Sequence, residues 1–322
     1  MQGGEFALID ALVARLPATH GPVVLGHGDD AAVLDLDGQA VFAIDAVVDG
    51  VHVDPAVSGP ADVGWKALAV NVSDLAAMGA TPRAAVVALA VPPTVGTDEL
   101  LALYDGLAAA AARYRVDVVG GDTVQAPVRS VTVAVLGQVA PGRAVRRAGA
   151  RPGQAIVCVG ALGAAAVGLA LARAGQATGD CPLLAAHRRP QALVAAGAVL
   201  AEAGASAMID VSDGLAADLS HLCDASGVGA VLEAAALPAA PGLAEAAGRI
   251  GGDPLAAVTS GGEDYALLAT LPAADAAAVC AAAGEADGVP AAVIGEVTAA
   301  SGVWLTGDGE RRALSGGYDH FA

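Results

Sequence analysis

Apolar residues recur every three or four positions through Phe6, Ile9, Leu12, Val13 and Leu16, which predicts an amphipathic helix over 5–16, stopped by Pro17. Short β-type runs follow at 31–36, 40–45 and 51–53. A helix is predicted at 61–78, closed by Gly79 with Pro82 beyond. Then come a strand at 84–91, a helix at 97–113 and strands at 116–119 and 130–139. Residues 141–154 are basic and rich in glycine and proline, and they read as a boundary. A second alternation begins after it, with a strand at 155–159, helices at 163–174 and 190–204, a strand at 207–211, a helix at 214–225 and a strand at 229–233. The chain closes with an element near 264–271, a helix at 272–284 and strands at 291–297 and 303–306, while 175–189 and 234–254 read as loops or caps. The pattern predicts two domains, 1–140 and 141–322, of α/β (α+β) class.

Composition narrows the function. The 322 residues are 55% hydrophobic but only 3% aromatic, and 34 acidic against 16 basic residues give a net charge of −18. Such a chain offers no basic footprint for nucleic acid or an anionic membrane. Its single lysine, Lys66, stands in Trp65-Lys66-Ala67, so the Gly-Lys-Ser/Thr phosphate loop is excluded. Cys158, Cys181, Cys223 and Cys280 are far apart with no C-x-x-C pair, as expected for reduced thiols in a cytoplasmic protein. Residues 155–172 carry no charge, yet Gly160 and Gly163 divide them into strand, turn and helix rather than a membrane span. Residues 1–5 lack the charged-then-apolar order of a signal peptide.

The informative residues are aspartates beside glycine at the ends of apolar strands: Gly28-Asp29-Asp30, Ile44-Asp45, Gly120-Gly121-Asp122-Thr123 and Asp210-Val211-Ser212-Asp213-Gly214. Taken singly, each could shape a turn or cap a helix. Asp74 is different, because it lies within a mostly apolar helix, on one face with Asn71. A buried carboxylate needs a partner or a cation, and several gathered together point to divalent metal. Magnesium takes oxygen ligands and commonly shares them with phosphates. The chemistry so indicated is metal-dependent phosphoryl transfer without a P-loop.

Several further motifs stand in order along the chain: Asp49-Gly50-Val51-His52, Gly64-Trp65-Lys66-Ala67, Ser73-Asp74-Leu75-Ala76-Ala77-Met78-Gly79, Arg147-Ala148-Gly149-Ala150-Arg151-Pro152-Gly153, Gly262-Glu263-Asp264-Tyr265 and Gly317-Tyr318-Asp319. With the aspartate motifs, this series resembles the thiamine-monophosphate kinase family, within the superfamily of aminoimidazole ribonucleotide synthetase and selenophosphate synthetase. The resemblance implies a two-domain subunit with ATP between the domains, and a homodimer whose N-terminal strands form a shared barrel. It implies ATP- and magnesium-dependent phosphorylation of thiamine monophosphate to thiamine diphosphate, the last step of thiamine diphosphate biosynthesis, by direct in-line transfer with no covalent nucleophile.

By the same resemblance, Asp29, Asp45, Asp74, Asp122, Asp210 and Asp213 are expected to be magnesium ligands, with several ions bound. Tyr104, Gly121, Asp122, Arg147 and Ser212 are expected to meet ATP, with Arg146 as the alternative to Arg147. His52, Glu263 and Tyr318 are expected to line the thiamine-phosphate side. One departure stands out, since the family usually has Ser or Thr before the aspartate equivalent to Asp45. Here Ala43 and Ile44 offer only backbone carbonyls, and Ile44 is expected to supply one to metal. Another synthetase of the superfamily and a non-catalytic nucleotide-binding relative are the alternative readings.

Overall fold

The computed structural model describes residues 4–19, 21–25, 32–177 and 180–318. The chain divides into two compact units, the first built from 1–75 and 81–142, the second from 76–80 and 143–322. The first unit holds α1 (Gly4–Val13), β1 (Val23–Leu25), β2 (Val33–Leu34), β3 (Gln39–Val48), α2 (Pro60–Ala77), β4 (Thr81–Val91), α3 (Thr97–Tyr114), β5 (Asp117–Gln125) and β6 (Ser130–Val139). Its main sheet runs β3-β6-β4-β5, antiparallel except for the parallel β4–β5 pair. Alternation makes this sheet two-faced. Val131, Val133, Val135, Val87 and Leu89 are buried on one side. The register sets Phe42, Ile44, Val86 and Val124 on the other side, where they are 69%, 62%, 41% and 49% exposed.

The second unit contains β7 (Gln154–Val159), α4 (Ala164–Arg173), α5 (Pro182–Arg188), α6 (Val194–Glu202), β8 (Ala207–Asp210), α7 (Leu215–Ser226) and β9 (Gly229–Glu233). It continues with α8 (Leu243–Arg249), α9 (Pro254–Ser260), β10 (Leu267–Pro272), α10 (Ala273–Asp287), β11 (Ala291–Thr298), β12 (Gly302–Gly307) and β13 (Glu310–Ala313). Seven strands form one sheet in the order β13-β12-β9-β11-β7-β10-β8, antiparallel but for the β12–β9 pair. Val157, Val159, Leu267 and Leu271 of the sheet pack with Leu200 of α6 and Cys280 of α10 in a single core cluster. All four cysteines are free. Among the described residues, no helix is long and apolar enough to cross a membrane.

Several sequence expectations need correction. The strand expected at 51–53 is a turn, because the N–H groups of Val51, His52 and Val53 all converge on the Val48 carbonyl. Residues 175–189 and 234–254, expected as loops or caps, contain α5, α8 and a 3-10 turn at Ala234–Ala236. Helices of only seven residues show too little apolar periodicity to be read from a chain already rich in alanine. The two-residue β2 is much shorter than the expected run at 31–36, while β3 continues three residues past its expected end. Strands β1 and β13 were not anticipated.

Helices α2 and α3 approach closely enough to dispense with side chains at the crossing. A Cβ added at Gly106 would collide with the Ala61 carbonyl, and one at Gly64 with the Leu103 carbonyl. Gly106→Ala therefore overpacks a backbone contact and should cost roughly 1–3 kcal/mol, read as a lowered Tm in thermal unfolding followed by circular dichroism.

Candidate functional site

In the second unit, β8 ends at Asp210 and the chain turns through Val211, Ser212, Asp213 and Gly214 into α7. This turn is anchored to a second segment running from Gly262 to Tyr265. Glu263 N–H donates to the Ser212 carbonyl at 2.7 Å, and Tyr265 N–H to the Val211 carbonyl at 2.8 Å. The C-terminal segment joins them, with Tyr318 N–H donating to the Asp213 carbonyl at 3.0 Å. Three motifs far apart in sequence thus meet at one place, gathering Asp210, Ser212, Asp213, Glu263 and Tyr318. Tyr318 keeps its side chain 53% exposed.

Asp218 also belongs here, although sequence reasoning missed it. Its Oδ2 accepts the N–H groups of Asp213 at 3.0 Å and Gly214 at 3.1 Å, tying the start of α7 back to the turn. Burial pushes its carboxyl up to about 7, the charge of Asp210 adds to that, the Asp213 and Gly214 N–H groups oppose it, and the charge of Asp213 raises it further. The available signal was an acid four residues into a helix that follows Ser-Asp-Gly, a variant of the acid that reaches back in a capping box.

Glu263 and Tyr265 have φ of 66° and 51°, a left-handed backbone that non-glycine residues seldom adopt. Between them Asp264 points inward, its Oδ2 accepting Gly163 N–H at 2.7 Å and its Oδ1 accepting Ala165 N–H at 3.4 Å at the start of α4. Burial raises its carboxyl to about 7 against the pull of those N–H groups. His187, buried in α5, has Nδ1 2.8 Å from Glu263 Oε2. The pair meets the distance of an ion pair without the alignment of a hydrogen bond. Backbone of this kind persists only where the surrounding bonds hold it.

Arg146 and Arg147 have exposed side chains and anchored backbones. The Arg146 carbonyl accepts Met208 N–H at 3.0 Å, and the Arg147 carbonyl accepts the Ser226 hydroxyl at 3.1 Å.

In the first unit, Asn71 of α2 is fully buried and sets the relation of helix to strand. Its Nδ2 donates to the Ala67 carbonyl, and its Oδ1 accepts Asp45 N–H of β3 at 2.8 Å. Asp74 follows one turn later on the same helix and is half-buried rather than enclosed. Ile44 precedes Asp45 on β3 with its side chain exposed. Asp122 lies on β5, at the opposite edge of the sheet, and three strand spacings put about 14 Å between those edges. A Cβ at Gly121 would strike the Val87 carbonyl, so close strand approach already requires glycine there. Tyr104 is buried in α3, and burial pushes its hydroxyl up to about 12. His52 sits in the turn after β3, Nδ1 accepting Val48 N–H at 3.2 Å. Asp29 lies outside the described residues. Among the described residues, no three His, Cys, Asp or Glu side chains stand together as a metal-holding group.

Comparison with known proteins gives a consistent picture. The family model "AIR synthase related protein, N-terminal domain" matches residues 28–139, and its C-terminal counterpart matches 151–307. A thiamine-monophosphate kinase of Salmonella typhimurium is 39% identical over 330 residues, covering 100% of this chain and 99% of that one. The crystal structure of thiamine-monophosphate kinase from Stenotrophomonas maltophilia is similar with a TM-score of 0.84 and 38% identity, over 95% of this chain and 97% of that one. A structure of AaThiL complexed with AMPPCP and TMP has a TM-score of 0.77 and 29% identity, over 99% of this chain and 97% of that one.

The inward carboxyl of Asp264 gives a test of the geometry in the second unit. Its pKa is raised from 3.8 to about 7, so between those values the folded chain holds a proton that the unfolded chain has released. Stability is then fully present below about pH 4 and falls as pH rises toward 7, by up to about 4 kcal/mol. Asp264→Asn should flatten that fall, measured as denaturation midpoints at several pH values without divalent cations. An unchanged slope would mean that Asp264 is already ionised in the folded protein.

Proposed function

We propose that this chain, which belongs to the thiamine-monophosphate kinase family of AIR synthase related proteins, transfers the terminal phosphoryl group of ATP to the phosphate of thiamine monophosphate, giving thiamine diphosphate and ADP. The observation that carries this reading is the convergence of Asp210–Gly214, Gly262–Tyr265 and Tyr318 in the second unit. That convergence joins acids suited to a cation–phosphate assembly with an acid and an exposed aromatic ring suited to a cationic heterocycle. The family relative held with AMPPCP, an ATP analogue, and TMP supports the same pair of substrates.

The acceptor is already nucleophilic, because a phosphate monoester is largely dianionic near neutral pH. One of its oxygens forms the new P–O bond to the γ-phosphorus while the bond to the β-bridging oxygen breaks, and ADP leaves with that electron pair. No side chain need remove a proton, and none is assigned as a nucleophile. Glu263 and Tyr318 would meet the positively charged thiazolium side of the acceptor, and His52 its phosphate side. Ser212 and an exposed guanidinium, from Arg147 or its neighbour Arg146, would orient the nucleotide, with Tyr104 and Gly121 assigned to the same substrate.

Magnesium fits the donor chemistry. In the second unit, Asp218 is pushed up to about 7 first by burial and then by the charge of Asp210, the repulsion that a nearby cation relieves. Asp29, Asp45, Asp74, Asp122, Asp210 and Asp213, with the Ile44 carbonyl, would hold the ions. When bound, they supply charge neutralisation for the transferring phosphoryl group. The exposed apolar sheet face at Phe42, Ile44, Val86 and Val124 supports a homodimer, since a patch of this kind on an edge-exposed sheet invites a second copy.

The reading is tested by incubating the protein with ATP, magnesium and thiamine monophosphate and scoring thiamine diphosphate. ADP without thiamine diphosphate would count against it. Asp74→Asn preserves shape while removing a carboxylate charge, and should lower turnover at least about a hundredfold with little change in Tm. Near-normal turnover at saturating magnesium would remove Asp74 from the site.

A further inference from the structure

The lone lysine that no phosphate loop uses is only 2% exposed. From α2, its Nζ donates to the backbone carbonyl of His52 at 2.9 Å. Enclosing an ammonium is costly unless it is well bonded, and the turn it touches is already closed by several backbone bonds. Val48 O accepts N–H groups from Val51, His52 and Val53 at 3.2, 3.0 and 3.3 Å, and Gly50 N–H donates to the Val53 carbonyl at 2.7 Å. A second buried cation secures the other flank. Arg129 is 5% exposed and donates from Nε and Nη2 to Asp49 Oδ1 at 3.2 and 3.0 Å, and from Nη1 to Glu99 Oε1 at 2.7 Å. Its carbonyl accepts Asp49 N–H at 3.1 Å.

Two cations thus hold a turn whose most distinctive occupant is an imidazole in a defined state. Nδ1 of His52 receives Val48 N–H, and only an unprotonated ring nitrogen can accept that bond. The ring proton therefore sits on Nε2. A neutral ring with a fixed N–H is a donor to an anionic phosphate oxygen, and its usefulness depends on the backbone beneath it staying in place.

We infer that Lys66 and Arg129 are positioning residues for His52: Lys66 on the His52 carbonyl and Arg129 on Asp49 clamp the Asp49–Val53 turn so that the imidazole presents its Nε2–H edge. The inference rests on the reading that His52 faces the phosphate of the acceptor. Neither cation touches substrate, and both act through the turn.

The test compares Lys66→Met, Lys66→Arg and Arg129→Lys in the full chain. Imidazole ¹⁵N spectra, with the His52 signals identified from their loss in His52→Gln, should show a single Nε2-protonated tautomer in the unsubstituted protein. In Lys66→Met the signals should move toward a mixture of tautomers. KM for thiamine monophosphate should rise about tenfold while the affinity for an ATP analogue stays within about twofold. Lys66→Arg should restore most of both. Arg129→Lys keeps the charge but loses the two-point hold on Asp49, so it should shift the same readouts in the same direction; it also serves if Lys66→Met does not fold. An unaltered His52 tautomer with an unaltered KM in these variants overturns the inference. If the unsubstituted protein makes no thiamine diphosphate, the proposed function fails, while the tautomer spectra still decide whether the two cations fix His52.

Discussion

The meeting of Asp210 and Asp213 with the buried Asp218, where β8 turns into α7, is the constraint on which the candidate site depends. A chain with 34 acids and one lysine cannot answer every carboxylate with an ammonium group. In the first unit the answer is local, where Arg129 bridges Asp49 and Glu99. In the second unit the Asp218 carboxyl is pushed up first by burial, with the charges of Asp210 and Asp213 adding to it. Under the proposed function, a divalent ion at this turn would offset that charge and let an acidic turn accept phosphate.

Backbone hydrogen bonds, rather than side-chain packing, hold the acids in place. Glu263 and Tyr318 are joined to the Ser212–Asp213 turn through main-chain N–H groups. The left-handed backbone at Glu263 and Tyr265 is kept from relaxing by bonds on both sides and by Asp264 at the start of α4. In the first unit Asn71 performs the comparable task, joining α2 to β3 beside Asp45. In each unit, hydrogen bonds rather than apolar packing hold these segments in register.

Much of this was legible in the sequence, for identifiable reasons. Long elements with clear period, such as α3 and β6, fell close to their predicted spans, because valine and leucine mark their buried faces unambiguously. The aspartate motifs stood out because acid beside an apolar run and glycine is a distinctive pattern. Yet of these aspartates, among the described residues, only Asp210 closes its strand, while Asp45 lies inside β3 and Asp122 inside β5, which runs well past its expected end at 119. What escaped notice depended on three-dimensional neighbours. Asp218 looks like an ordinary helix acid until Asp213 and Gly214 fold back on it. His187 gains meaning only through Glu263, which lies far along the chain. Lys66 was conspicuous as the sole lysine, yet nothing in its neighbours named His52 as its partner. The short helices α5 and α8 vanished into alanine-rich background, and the turn at 51–53 looked like a strand because Val51 and Val53 alternate around His52.

Magnesium binding measured by titration calorimetry, paired with Tm in the same buffer, tests the central claim most directly. The account predicts saturable binding at millimolar or lower magnesium, a rise in Tm, and weaker binding when Asp210 is replaced by asparagine. A chain that binds no magnesium, and whose Tm does not move when the ion is added, would contradict the view that the carboxylates of the Asp210–Gly214 turn take part in a cation site.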